Sequence, residues 1–105
     1  MRHELFEADD GTVLSAQIGD EIDLILHEMP SGGYRWLVDD VPAELIEPLE
    51  QSFDFAEGRV GGRNDTHFLF LVKAAGRGVV RLRYARSWEA GESALRSYQF
   101  TIEAS

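Results

Sequence analysis

An all-β sandwich is the fold this sequence predicts. Apolar and polar side chains alternate with a period of two along most of the chain, turn-forming residues interrupt that alternation at short intervals, and no segment keeps a helical period over three turns. Alternation sends successive side chains to opposite faces of a strand, so a run with one apolar face is half buried in a sheet.

Residues 4–7 and 13–18 are short strand candidates, parted by the turn Asp9-Asp10-Gly11. After Gly19-Asp20, the residues Ile22, Leu24 and Leu26 alternate with Asp23, Ile25 and His27. A strand over 34–38 follows the Pro- and Gly-containing turn at 30–33. Pro42 and Pro48 bracket 41–48 too tightly for a lasting helix, which leaves one helical turn or an irregular crossover. A short strand is expected at 53–56, then a longer one at 66–73 that is apolar on both faces, as befits a central strand or one with a covered outer face. Val80, Leu82 and Tyr84 alternate with Arg81 and Arg83, and Tyr98, Phe100 and Ile102 alternate with Gln99 and Thr101. Further turns fall at 58–65, 75–78 and 89–92. About seven to eight antiparallel strands at this spacing fit an immunoglobulin-like β-sandwich, formed by one domain over residues 1–105.

Composition narrows the function. The chain has no cysteine, which excludes disulfides, thiolate metal sites and a cysteine nucleophile. Its 19 acidic and 10 basic residues give a formal charge of -9, which repels nucleic-acid phosphates and anionic lipid. Arg77, Arg81, Arg83 and Arg86 are close in sequence, but on an alternating strand they read as a solvated face, so no nucleic-acid partner is expected. No apolar run is long enough to span a membrane, and none at the start of the sequence has signal-peptide length. A monomer is expected, cytoplasmic as written, and periplasmic or secreted if an upstream signal was removed.

Catalysis is not expected either. The carboxylate pairs Asp9-Asp10 and Asp39-Asp40 are adjacent, which on a strand points them to opposite faces, and Asp54 with Glu57 is assigned a surface role. His3, His27 and His67 lack ligand spacing, and Ser87 has no neighbouring base. No catalytic residue, metal or cofactor is assigned.

Three connections stand out instead. The first, Met29-Pro30-Ser31-Gly32-Gly33-Tyr34, is shaped by Pro30 and given backbone freedom by Gly32 and Gly33. The second carries Gly58, Gly61 and Gly62, and the third carries Arg86-Ser87-Trp88, with a cation and a large aromatic of the kind that anchors interfaces. In immunoglobulin topology these would be the B–C, D–E and F–G loops, gathered at one end.

On these motifs the chain resembles the chagasin family of cysteine-protease inhibitors, and the resemblance covers nearly its whole length. The family's first loop reads Asn-Pro-Thr-Thr-Gly-Tyr/Phe, to which 29–34 corresponds, with the family tryptophan at Trp36. Of its second-loop Gly-x-Gly-Gly, Gly61 and Gly62 remain; of its Arg-Pro-Trp, Arg86 and Trp88 remain. Met29, Gly32 and Ser87 stand where the family has asparagine, threonine and proline. The resemblance implies a reversible, non-covalent inhibitor of papain-like cysteine proteases that wedges 29–34, 58–65 and 86–92 into the active-site cleft. The implied protease-binding residues are Met29, Pro30, Ser31, Gly32, Gly33, Tyr34, Gly61, Gly62, Arg86, Ser87 and Trp88. The alternative is a diverged immunoglobulin-like module that uses the same end for another protein partner. Trp36, on an alternating strand, is assigned to the core.

Overall fold

The structure is a computed structural model; it describes residues 1–28, 34–54, 64–86 and 96–105, with the side chains of 50–54, 64 and 86 left aside. The strands are β1 (Arg2–Phe6), β2 (Val13–Ala16), β3 (Glu21–Glu28), β4 (Tyr34–Asp40), β5 (Ile46–Asp54), β6 (Asn64–Val72), β7 (Gly76–Arg86) and β8 (Arg96–Ala104), with one 3-10 turn at Glu7–Asp9. They form two four-stranded sheets, β1-β3-β6-β5 and β2-β8-β7-β4.

The core lies between the sheets and is filled by the residues that alternation points inward. Ile22, Leu24 and Leu26 of β3 and Phe68, Phe70 and Val72 of β6 meet Val80, Leu82 and Tyr84 of β7 and Tyr98, Phe100 and Ile102 of β8. Burying a side chain of this size contributes about 1.5–3 kcal/mol, so these rows carry most of the fold. As expected of a strand apolar on both faces, β6 is central, flanked by β3 and β5.

The sandwich is as expected, but its strands are not all antiparallel. β1 pairs parallel with β3, and β2 pairs parallel with β8. A parallel pair needs a crossover, and residues 7–20 supply one by taking the chain to the opposite sheet as β2 before it returns as β3.

Two boundaries also differ. Between Pro42 and Pro48 there is one tight turn, in which the amides of Leu45 and Ile46 both donate to the Pro42 carbonyl, at 2.8 and 3.1 Å. Strand β5 then begins at Ile46, well before the expected 53–56, and runs through Pro48. Proline is tolerated there because β5 is an edge strand with a register shift between Pro48 and Glu50, which leaves Leu49 exposed. The 42–45 turn lies directly on β7: a Cβ on Gly78 would stand 2.6 Å from the Pro42 Cβ.

Of the arginine row, the three members whose side chains are described are paired. Arg77 meets Glu103 at 2.8 Å, Arg81 meets Asp40 at 3.8 Å and Arg83 meets Asp39 at 3.0 Å.

Candidate functional site: the loop-bearing end

Strand register shows which connections share an end. Glu28, the last residue of β3, lies opposite Asn64, the first of β6, and Asp54, the last of β5, lies opposite Asp65. In the other sheet Tyr34, the first of β4, lies opposite Arg86, the last of β7, and Arg96, the first of β8, lies opposite Tyr84. The connections 29–33, 55–63 and 87–95 therefore leave the sandwich from one end, the first crossing between sheets and the others joining neighbours within a sheet. Asn64 and Asp65 belong to β6, which corrects the expected extent of the second connection, 58–65. Likewise Tyr34 and Arg86 are strand residues.

Under this end lies a group of polar ties that sequence reasoning did not find. Glu28 is 1% exposed and faces the core in line with Ile22, Leu24 and Leu26. Its Oε1 accepts the Trp36 backbone N–H at 3.0 Å, across the two sheets, and the Arg35 Nε lies 3.8 Å away. Burial pushes the Glu28 carboxyl above its ordinary range, opposed by the Trp36 amide and the Arg35 guanidinium. Trp36 adds a second tie, its indole Nε1 donating to the His27 carbonyl at 2.9 Å. Glu7 makes a third: Oε1 accepts the His27 amide at 2.6 Å and Oε2 accepts Arg96 Nη1 at 3.1 Å, joining β3 to the start of β8.

Aromatic rings fill the space between. Trp36 packs on Tyr84 with centroids 5.1 Å apart and meets Tyr98 edge-on at 6.4 Å, while Tyr34 stacks on Tyr84 at 5.7 Å. Arg96 lies over both Trp36 and Tyr84, at 5.4 and 5.2 Å from the ring centroids, a favourable cation–π geometry. The Tyr98 hydroxyl donates to the Phe6 carbonyl at 2.8 Å, and burial drives its phenol well above the ordinary value, with Asp9, Asp10 and Glu7 adding to the shift.

Of the residues expected to bind a protease, Met29, Pro30, Ser31, Gly32, Gly33, Gly61, Gly62, Ser87 and Trp88 lie outside the described residues. Tyr34 is half buried against the core and Arg86 ends β7 opposite it. Trp36 is core, as expected. Two of the acidic pairs have structural partners: Asp9 accepts the Phe6 amide, Asp10 accepts the Gln99 amide, and Asp39 and Asp40 pair with arginines; the Asp54 side chain and Glu57 lie outside the described residues. Glu28 had a readable signal, since it has the same parity as Ile22, Leu24 and Leu26 and so falls on the buried face of β3. Glu7 and Arg96 had none, because their partners are set by tertiary packing.

The family model described as the chagasin family peptidase inhibitor I42 matches residues 15–102. The chain belongs to the chagasin family. Chagasin of Trypanosoma cruzi is 29% identical over 93 residues, covering 84% of each chain. The crystal structure of the cysteine protease inhibitor EhICP2 from Entamoeba histolytica superposes with a TM-score of 0.88 at 25% identity, over 99% of this chain and 96% of that one. PbICP-C, solved in complex with falcipain-2, shares the fold with a TM-score of 0.69 at 13% identity, over 100% of this chain and 90% of that one. The chagasin family is one of peptidase inhibitors, so the loop-bearing end belongs to a binding protein and not to an enzyme.

Proposed function

We propose that this chain inhibits papain-like cysteine proteases reversibly and without covalent chemistry, by presenting 29–34, 58–63 and 86–92 to the active-site cleft. The observation that carries the proposal is the strand register, which brings the stems of all three connections to one end of a chagasin-family sandwich. EhICP2 is a cysteine protease inhibitor and PbICP-C binds falcipain-2, and the same class of partner is carried over here.

Such an inhibitor needs no reactive group, only a shape that fills the cleft without being cut. Each side chain immobilised on binding costs about 0.5–1.5 kcal/mol, so binding elements mounted on a rigid base lose less on association. The ties among Glu7, Glu28, Trp36 and Arg96 supply that base. In the proposed complex Pro30 and Ser31 shape the first connection, Gly32 and Gly33 bring main chain close to the protease, and Met29 fills an apolar subsite. Gly61 and Gly62 do the same for the second connection. Trp88 anchors on the enzyme surface, with Arg86 and Ser87 beside it.

Titrating active papain with the pure protein tests this. Saturable, reversible inhibition is expected, weakened at least about tenfold by Trp88→Ala, as for a central aromatic anchor. An absence of inhibition at high micromolar protein would refute it and favour a diverged module with another protein partner.

A further inference from the structure

We propose that Glu28 is a positioning residue for inhibition: its buried carboxylate sets the spacing of the two strand ends that carry segment 29–33. The inference rests on the inhibitory reading above, and the geometry behind it is independent of any protease. Glu28 is the last residue of β3, and the amide it holds belongs to Trp36, two residues after β4 begins. Its side chain therefore closes a bridge between the sheets at the base of the first connection. The indole bond from Trp36 to the His27 carbonyl closes the same gap a second time, so consecutive residues of β3 grip both the backbone and the ring of Trp36.

Stability alone does not account for a carboxylate at this position. The other inward residues of β3 are aliphatic, and a methionine or leucine would extend that row without desolvating a charge. Among the described residues Glu28 is held instead with one hydrogen bond, through Oε1, and with a guanidinium that is 61% exposed and 3.8 Å away. Its other oxygen, Oε2, is buried and has no hydrogen-bond partner among the described residues. A buried carboxylate so incompletely paired is a cost to the fold. What it gives in return is a directional tie across the sandwich, which an apolar side chain cannot make.

Glu28→Met and Glu28→Gln separate this role from a structural one. Methionine fills the space and removes the buried charge but cannot accept the Trp36 amide; glutamine retains an acceptor oxygen. The measurements are inhibition of papain, thermal unfolding, and hydrogen exchange at the Trp36 amide by NMR. For Glu28→Met we expect an unchanged or raised melting temperature, faster exchange at Trp36, and inhibition weakened by about tenfold, the size of a lost specific tie. Glu28→Gln should restore inhibition to within about threefold of wild type. Glu28→Met inhibiting as strongly as wild type would overturn the proposal, as would a loss of inhibition that merely follows a fall in melting temperature. Should wild type not inhibit papain, the functional reading fails on its own, and Glu28 is judged by exchange alone: Trp36 exchanging no faster in Glu28→Met also sinks it.

Discussion

The two ends of β3 each carry a buried carboxylate, and they are built in opposite ways. Asp20, just before the strand, accepts the Gln17 amide at 3.0 Å and His3 Nε2 at 2.8 Å. With the Gln17 amide foremost and His3 next, these bonds hold its carboxyl at about 2. Glu28, at the other end, has one hydrogen bond among the described residues and a carboxyl pushed upward by burial. Both side chains are buried, and the contrast lies in the balance: at Asp20 the donors outweigh burial, whereas at Glu28 burial outweighs its one donor amide and the nearby guanidinium. The Asp20 end is closed by turns that need no partner molecule, whereas the Glu28 end carries the connections assigned to binding.

Several substitutions would break or sharpen that contrast. The largest effect is expected from Trp36→Ala, which removes the indole from the aromatic group and its bond to His27. It should cost about 3–5 kcal/mol in denaturant unfolding and weaken inhibition as well. At the closed end, Gly78→Ala sets a methyl against Pro42 and should cost about 1–3 kcal/mol while leaving the inhibition constant unchanged. A change in inhibition by Gly78→Ala would show that the two ends are not independent. Tyr98→Phe removes a single hydrogen bond, to Phe6, and should cost about 0.5–1.5 kcal/mol.

The smallest effects are the pH dependences, and their signs differ. The depressed carboxyl of Asp20 contributes stability that is present above its ordinary value of 3.8 and is lost as pH falls through about 2. The raised carboxyl of Glu28 contributes stability that is full below its ordinary value of 4.5 and is lost as pH rises through the raised one. Unfolding measured from pH 2 to 8 should therefore show Asp20→Asn flattening the acid limb and Glu28→Gln flattening the decline above pH 4.5. Identical profiles for wild type and Glu28→Gln would remove the contrast.

Much of the sandwich was legible because strand periodicity is local. The parity of Ile22, Leu24 and Leu26, or of Tyr98, Phe100 and Ile102, fixes the buried face without knowledge of the partner strand. Pairing direction was not legible: the parallel course of β1 and β2 depends on which sheet each joins, which no short window records. Pro48 hid the first half of β5, because proline is allowed only on an edge and edges are defined by the assembled sheet. At the binding end, residues such as Trp36 could be read from aromatic content and position. The Glu7 bridge from His27 to Arg96 could not, since it joins residues 89 apart.

The parallel course of β2 beside β8 also gives the molecule a mechanical character. The bonds from Gly11 to Gln99, Thr101 to Thr12 and Ser105 to Ala16 lie side by side along this seam. A pull that draws the beginning of β2 and the end of β8 apart loads them together in shear, whereas a hairpin such as β5–β6, pulled at its open end, yields one bond at a time. Force that separates those two points would therefore meet this seam in shear before it reached the connections at the binding end.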